Sequence, residues 1–259
     1  MSLNYSKSIG GDVEKFVSAA LPYSHWGMAY FNIRLLELTL IDHLFDDVIA
    51  RGGDSFLDVG CGLGLASVYA SKTFRLVEGT DIDDLGVAFK VDVPAPVKGQ
   101  AMMKELGFDS IRLHCGDTNK FLEEKEEAFD MILSVFVLEH VDNVESLLQL
   151  IARSLRPGGR VVHIVPNTHD TINQLLIQNL QPTKENERHR IKTGRGLKRM
   201  GHLYAPITHS EFIDDYREQF EINSLERYLF PIVSSGMKIC KISPMREHSY
   251  AILAERPAV

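Results

Sequence analysis

Residues Asp58-Val59-Gly60-Cys61-Gly62-Leu63-Gly64 set glycine at 60, 62 and 64 behind an aspartate at 58. Glycine lets the backbone turn sharply and lets a ligand approach where a Cβ would block it. If the loop opens a helix, the first N–H groups of that helix are unpaired and face the ligand. Dinucleotide-binding loops need the spacing GxGxxG. That spacing requires glycine at 65, where this chain has leucine. The acidic residue two places before the first glycine marks a different nucleotide-type cradle. Further polar residues stand where apolar runs end: Asp81, Asp117, Ser134, and the pair Glu139-His140. For Asp81 and Asp117 a plain turn or helix-capping role is an open alternative.

These residues need elements to carry them. Residues 12–50 read as helical, with Leu35, Leu36, Leu38, Leu40, Ile41 and Leu44 at helical spacing. The aromatic segment Pro22-Tyr23-Ser24-His25-Trp26-Gly27 breaks that region. Ser55–Val59 is a short apolar run that stops at glycine and predicts a buried strand, with a helix over Leu65–Lys72. Arg75–Thr80, Ile111–Cys115, Phe129–Val135 and Arg160–Val165 predict further strands, with a helix over Asn143–Leu155. Strand and helix in alternation, joined by short connections, predict a parallel sheet covered on both faces. Pro94 and Pro96 suggest an insertion or a broken helix at Val91–Gln100. Farther on, Thr208 and Glu211 fit a capping box for a helix Ser210–Gln219. Phe220–Tyr228 and Tyr250–Glu255 read as two last strands, with 229–249 carrying structure of its own.

The loop 58–64, with Asp81, Gly116-Asp117-Thr118, Phe129–Ser134, Val137-Leu138-Glu139-His140-Val141 and Leu155-Arg156-Pro157-Gly158-Gly159 in that order, resembles class I S-adenosylmethionine-dependent methyltransferases. The likeness is to their small-molecule branch, the ubiquinone- and menaquinone-biosynthesis-like enzymes of methyltransferase type 11. It covers residues 30–166 and, more weakly, 201–212. It implies an α/β fold, a Rossmann-like seven-stranded sheet with helices on both faces and an N-terminal helical lid. One domain, 1–259, would comprise a cap (1–50), a cofactor-binding core (51–166) and an acceptor-side part (167–259). It implies S-adenosylmethionine as cofactor and S-adenosylhomocysteine as product. Asp58, Gly60, Cys61, Gly62 and Gly64 would form the loop, and Asp81, with Ile82 beside it, would hold the ribose. A carboxylate suits a cis-diol, since it can accept from both hydroxyls. Asp117 and Thr118 would face the adenine, and Ser134 and Val135 the methionine part.

On the acceptor side the resemblance singles out His140 as a general base, with Glu139 orienting it; a second reading has His140 hydrogen-bonded to backbone and Glu139 capping a turn. Tyr23, His25, Trp26 and Tyr30 fit a lid over the cofactor, or ordinary packing of the N-terminal helices. His202 and Tyr204 would reach the acceptor from the far side, or pack on the sheet edge. Ubiquinone-type O-methyltransferases and small-RNA 3′-end methyltransferases carry a metal-binding glutamate three places before the residue matching Glu139. Here Phe136 stands there, and Glu139-His140 alone is a poor ligand set. No metal is expected.

Bulk properties narrow the partners. A net charge of −7 counts against broad duplex binding. Ser134-Val135-Phe136-Val137 also differs from the Asn/Asp-Pro-Pro-Tyr/Phe motif of exocyclic-amine methylation. The expected partner is a small-molecule acceptor; a nucleic-acid methyltransferase using the basic 188–199 stretch, or a non-catalytic binding module, is the alternative. That stretch faces an anionic acceptor or is a solvated loop. No run of about 18 apolar residues predicts a membrane span. The cysteines, 3 in all, form no CxxC pair. With no secretion signal at the N-terminus, they fit reduced thiols and a cytoplasmic setting.

Overall fold

The computed structural model describes residues 10–82, 89–166, 225–246 and 249–258. The chain enters through helix α1 (Gly11–Ala20), a 3-10 turn at Leu21–Tyr23 and helix α2 (Met28–Leu44). Strand and helix then alternate: β1 (Gly53–Val59), α3 (Leu65–Ala70), β2 (Phe74–Asp81), α4 (Ala95–Leu106), β3 (Ile111–Cys115), α5 (Thr118–Glu123) and β4 (Phe129–Val135). A 3-10 turn at Leu138–His140, helix α6 (Val144–Ser154) and β5 (Leu155–Pro166) follow. After the undescribed residues come α7 (Leu225–Ser234), β6 (Lys238–Arg246) and β7 (Ser249–Glu255).

The strands form one seven-stranded sheet in the order β3-β2-β1-β4-β5-β7-β6. Strands β1 to β5 are mutually parallel. Strand β7 runs antiparallel between β5 and β6. The expected Rossmann-like sheet is present, and the parallel strands read as near-continuous apolar runs because both faces are covered. Side chains alternate between two cores. Phe56, Met131, Leu133, Val162 and Ile164 pack with α1 to α4. Leu57, Val59, Ile132, Val161 and Val165 pack with α5 to α7. Each fully buried aliphatic or aromatic side chain stabilises the fold by about 1.5–3 kcal/mol.

Two expectations need correction. Residues 225–228 are helical, not the end of a strand; the sixth strand is Lys238–Arg246. Leu225, Tyr228 and Ile232 recur on one helical face, and Tyr228 and Ile232 are fully buried in the second core. Nor do the prolines break a helix. Pro94 sits just before α4 and Pro96 in its first turn, where a missing N–H costs nothing. The expected helix at Ser210–Gln219, the basic stretch 188–199, and residues 220–224 lie outside the described residues.

Candidate functional site

The sheet's last shared register row runs His114–Thr80–Val59–Ser134–His163–Ile252–Ile242. The polar residues singled out in the sequence gather at or just beyond this row, at the carboxyl ends of the parallel strands. That is where open α/β sheets bind ligands. The Thr80 carbonyl accepts from the Gly60 N–H at 2.8 Å and the Cys61 N–H at 3.2 Å, turning the chain out of β1. Gly60 has φ 74°. A Cβ there would run into the Val137 methyl group, so the loop must be glycine where the β4 turn crosses it. Gly64, at φ 96°, leads into α3, and a Cβ there would stand 2.6 Å from Met103 Cε.

Asp81 binds the loop directly. Its carboxylate accepts from the Gly62 N–H at 2.7 Å and the Ile82 N–H at 2.8 Å. Ile82 beside it is 57% exposed, a large apolar side chain left open to solvent. Asp58 is buried beneath the loop and accepts from Ser67 Oγ at 2.8 Å. Burial pushes its carboxyl up to about 7, against the Ser67 hydrogen bond and with help from the Asp81 charge. Asp117 caps α5, accepting from Asn119 N–H at 2.8 Å and Lys120 N–H at 3.4 Å, both at Oδ1. The Thr118 hydroxyl lies 3.4 Å from that of Thr80.

The N-terminal segment reaches this loop. Phe89 packs edge-on against Tyr30, 5.3 Å between ring centroids, and lies where a Gly62 Cβ would point. Tyr30 stacks on Trp26 at 6.1 Å. Desolvation pushes the Tyr30 hydroxyl up to about 12, opposed by Arg34 and reinforced by Asp58 and Asp81. Tyr30 therefore shares the electrostatic environment of the cofactor loop. Tyr23 anchors the segment: its carbonyl accepts from the Lys90 N–H at 2.6 Å, and Lys98 lies over its ring. His25 and Trp26 are exposed at the outer edge.

The β4 end carries the other candidates. Ser134 Oγ is 2.7 Å from His163 Nδ1, and both residues are fully buried. The Ser134 hydroxyl therefore faces its neighbour strand. Val135 ends β4, and Phe136 turns the chain at φ 55° with its N–H on Ile164 O. Glu139 has a side chain only 6% exposed. Neither carboxyl oxygen has a hydrogen-bond partner among the described residues. Burial pushes it up to about 8, with Arg34 and Arg227 pulling the other way. His140 Nε2 stands 3.9 Å from Glu139 Oε1, and burial lowers the His140 pKa below 6.5. His202 and Tyr204 lie outside the described residues.

Sequence reasoning missed three residues. Arg34 stacks over Phe136, 4.8 Å from the ring centre, and pairs with buried Glu37. Arg227, at the start of α7, donates to Val141 O at 2.7 Å. His163 backs Ser134 from β5. Arg34 sat in a strongly apolar helix, and nothing local marked the other two. Among the described residues no three His, Cys, Asp or Glu side chains gather to hold a metal ion, and no helix is long and apolar enough to cross a membrane. An open cleft of about 530 Å³ lies at the opposite, amino end of the parallel strands, between Arg51, Asp54, Asp130 and Arg160. Arg156 already pairs with Asp130 there, and none of the residues expected to hold the cofactor or the acceptor lines it.

Comparison with known proteins agrees with this architecture. The chain is 28% identical over 216 residues to a ubiquinone biosynthesis O-methyltransferase of Agrobacterium fabrum, covering 78% of this chain and 72% of that protein. It is 28% identical over 123 residues to (S)-coclaurine N-methyltransferase of Papaver somniferum, and that match spans only 32% of the poppy enzyme. In fold it is similar to a SAM-dependent methyltransferase from Aquifex aeolicus, with TM-score 0.56 at 13% identity over 95% of this chain and 100% of that one. It is likewise similar to a geranyl diphosphate methyltransferase in complex with SAM, with TM-score 0.55 at 17% identity over 97% and 93%. Residues 29–204 match the family described as a methyltransferase domain, and the chain belongs to that family of S-adenosylmethionine-dependent methyltransferases.

Proposed function

We propose that the protein transfers a methyl group from S-adenosylmethionine to an oxygen or nitrogen of a small-molecule acceptor, with Glu139 and His140 on the acceptor side. The observation that carries this reading is Val137. It lies against Gly60, so the turn bearing Glu139 and His140 abuts the cofactor loop. S-adenosylmethionine, when bound, supplies a methyl already activated by sulfonium, so the protein contributes chiefly alignment and exclusion of water.

The chain's own residues fit that task. The Asp81 carboxylate, held against the loop by the Gly62 N–H and with Ile82 beside it, suits a ribose and its base. Asp117 uses Oδ1 for capping, which leaves Oδ2 for an adenine amino group next to Thr118. Ser134 and Val135 act here through the backbone of the β4 end, since the Ser134 hydroxyl is engaged with His163. Tyr30 and Trp26 form the inner lid, with Tyr23 and His25 at its rim. A His140 pKa below 6.5 keeps the imidazole neutral at pH 7, ready to accept a proton from an attacking hydroxyl or amine. Glu139, protonated at that pH, is a donor and acceptor awaiting a polar partner. Arg34 and Arg227 beside it suit an acceptor that also bears negative charge.

The test is direct methylation. The protein, S-adenosylmethionine and separate panels of phenols, amines and carboxylated aromatics are incubated, and products are read by mass for an added methyl. Methylated oxygen or nitrogen on a small molecule is expected. Methylation of RNA or DNA alone, falling with salt, would replace this reading with a nucleic-acid one.

A further inference from the structure

We propose that His163 is a positioning residue for the cofactor site, acting through Ser134 on the end of β4. Ser134 and His163 are register partners on adjacent parallel strands, and their side chains meet at 2.7 Å inside the protein. Neither is exposed to solvent. The imidazole has a second nitrogen, Nε2, and that atom is buried with no hydrogen-bond partner among the described residues. Burial drives the His163 pKa down to about 3, so the ring is neutral and holds one N–H and one lone pair. One of these meets the serine, and the other meets no polar atom among the described residues. A leucine of similar reach would pack between Val161 and Val165, which line the α7 side of β5, without leaving an unpaired buried nitrogen. The bond to Ser134 is thus the polar service that this side chain performs.

Ser134 is well placed to pass that restraint on. Across the sheet its other register partner is Val59, the residue before Gly60. Along the chain it is followed by Val135, then Phe136 in the left-handed region with its N–H on Ile164 of the same strand as His163. Next comes Val137, which lies on Gly60 with no room between them for a Cβ. The β4 end is therefore tied to β5 twice, once by backbone and once by the Ser134–His163 pair. It then presses on the cofactor loop. Loosening the side-chain tie leaves the β4 end held to β5 by backbone alone, and any shift there passes to Gly60 through Val137.

The experiment titrates the full chain with S-adenosylhomocysteine by calorimetry, beside thermal melts, for Ser134→Ala, His163→Leu, His163→Asn and His163→Gln. Asparagine sets a polar atom where Nδ1 lies; glutamine sets one where Nε2 lies. Ser134→Ala, His163→Leu and His163→Gln are expected to weaken binding about tenfold, about 1.4 kcal/mol. His163→Asn should recover most of that affinity, and Ser134→Ala combined with His163→Leu should be no weaker than either alone. Wild-type affinity in a folded His163→Leu protein overturns the proposal, as do equal losses in the Asn and Gln variants. If His163→Leu does not fold, the Asn–Gln contrast decides.

Discussion

The Asp81 carboxylate accepts a hydrogen bond from the Gly62 N–H at 2.7 Å, across 19 residues of chain. One oxygen thus braces the glycine loop while the other meets the Ile82 N–H. A charge-assisted bond of this kind is worth about 1.5–3 kcal/mol. Asp81→Ala removes both the brace and the carboxylate proposed to hold the ribose. Its S-adenosylhomocysteine affinity, measured by calorimetry, is expected to fall by about 10-fold or more. Undiminished affinity would show that β2 does not deliver Asp81 to the cofactor.

Gly60→Ala drives a methyl into Val137 at a backbone angle that alanine disfavours. Overpacking of this sort costs about 1–3 kcal/mol. The variant should melt lower and bind S-adenosylhomocysteine more weakly. Val137→Ala in the same chain should restore part of both losses. A double variant no better than Gly60→Ala would place the strain in the backbone alone.

Two sets of carboxyls pull the pH dependence of stability in opposite directions. Asp58 and Glu139 have folded-state values raised to about 7 and about 8. The folded state holds those protons longer, so their contribution is complete at acid pH and is lost as pH climbs through 7 to 8. Glu78 is the reverse. Its hydrogen bond from His114, aided by Lys125, outweighs burial and holds it down at about 2. Its stabilisation is present above 4.5 and lost as pH falls toward 2. Asp58→Asn can still accept from Ser67 and should raise the urea midpoint at pH 8 relative to wild type while matching it at pH 4. Parallel curves for the two proteins would contradict the burial argument. Glu78→Gln should lower the midpoint at pH 7 and leave it unchanged near pH 2.

His140→Gln removes the proposed base without touching the glycine loop. Turnover on an acceptor found in the methylation panels should drop by about 100-fold or more. S-adenosylhomocysteine affinity should stay within about twofold, because an acid–base contribution belongs to the chemical step. The wild-type rate should fall on the acid side only below pH 6.5. An unchanged rate in the variant would leave alignment alone as the source of catalysis and return His140 to a structural role.

Much of this site could be read along the chain because it is built from short-range features. Gly60, Gly62 and Gly64 are needed wherever a strand turns into a helix under a ligand. Asp81 and Asp117 fall at strand ends that apolar runs delimit. The N-terminal break at 22–27 is visible for the same reason, since it is set by neighbours a few residues away. The misreading at 225–228 arose because a short apolar run fits strand and helix alike. Only burial of Tyr228 and Ile232 on one helical face separates the two.

The sequence alone determined the α/β class, the glycine loop and the carboxylates at the strand ends, because hydrophobic period and glycine spacing are local constraints. Tertiary structure decided how those side chains are used. Ser134 and His163 meet from 29 residues apart, and strand register, which no local pattern encodes, makes that meeting. Glu139 is left buried without a hydrogen-bond partner among the described residues by the packing of elements distant in sequence. Whether a polar side chain faces a ligand, a neighbouring strand or nothing at all depends on what the rest of the chain brings against it.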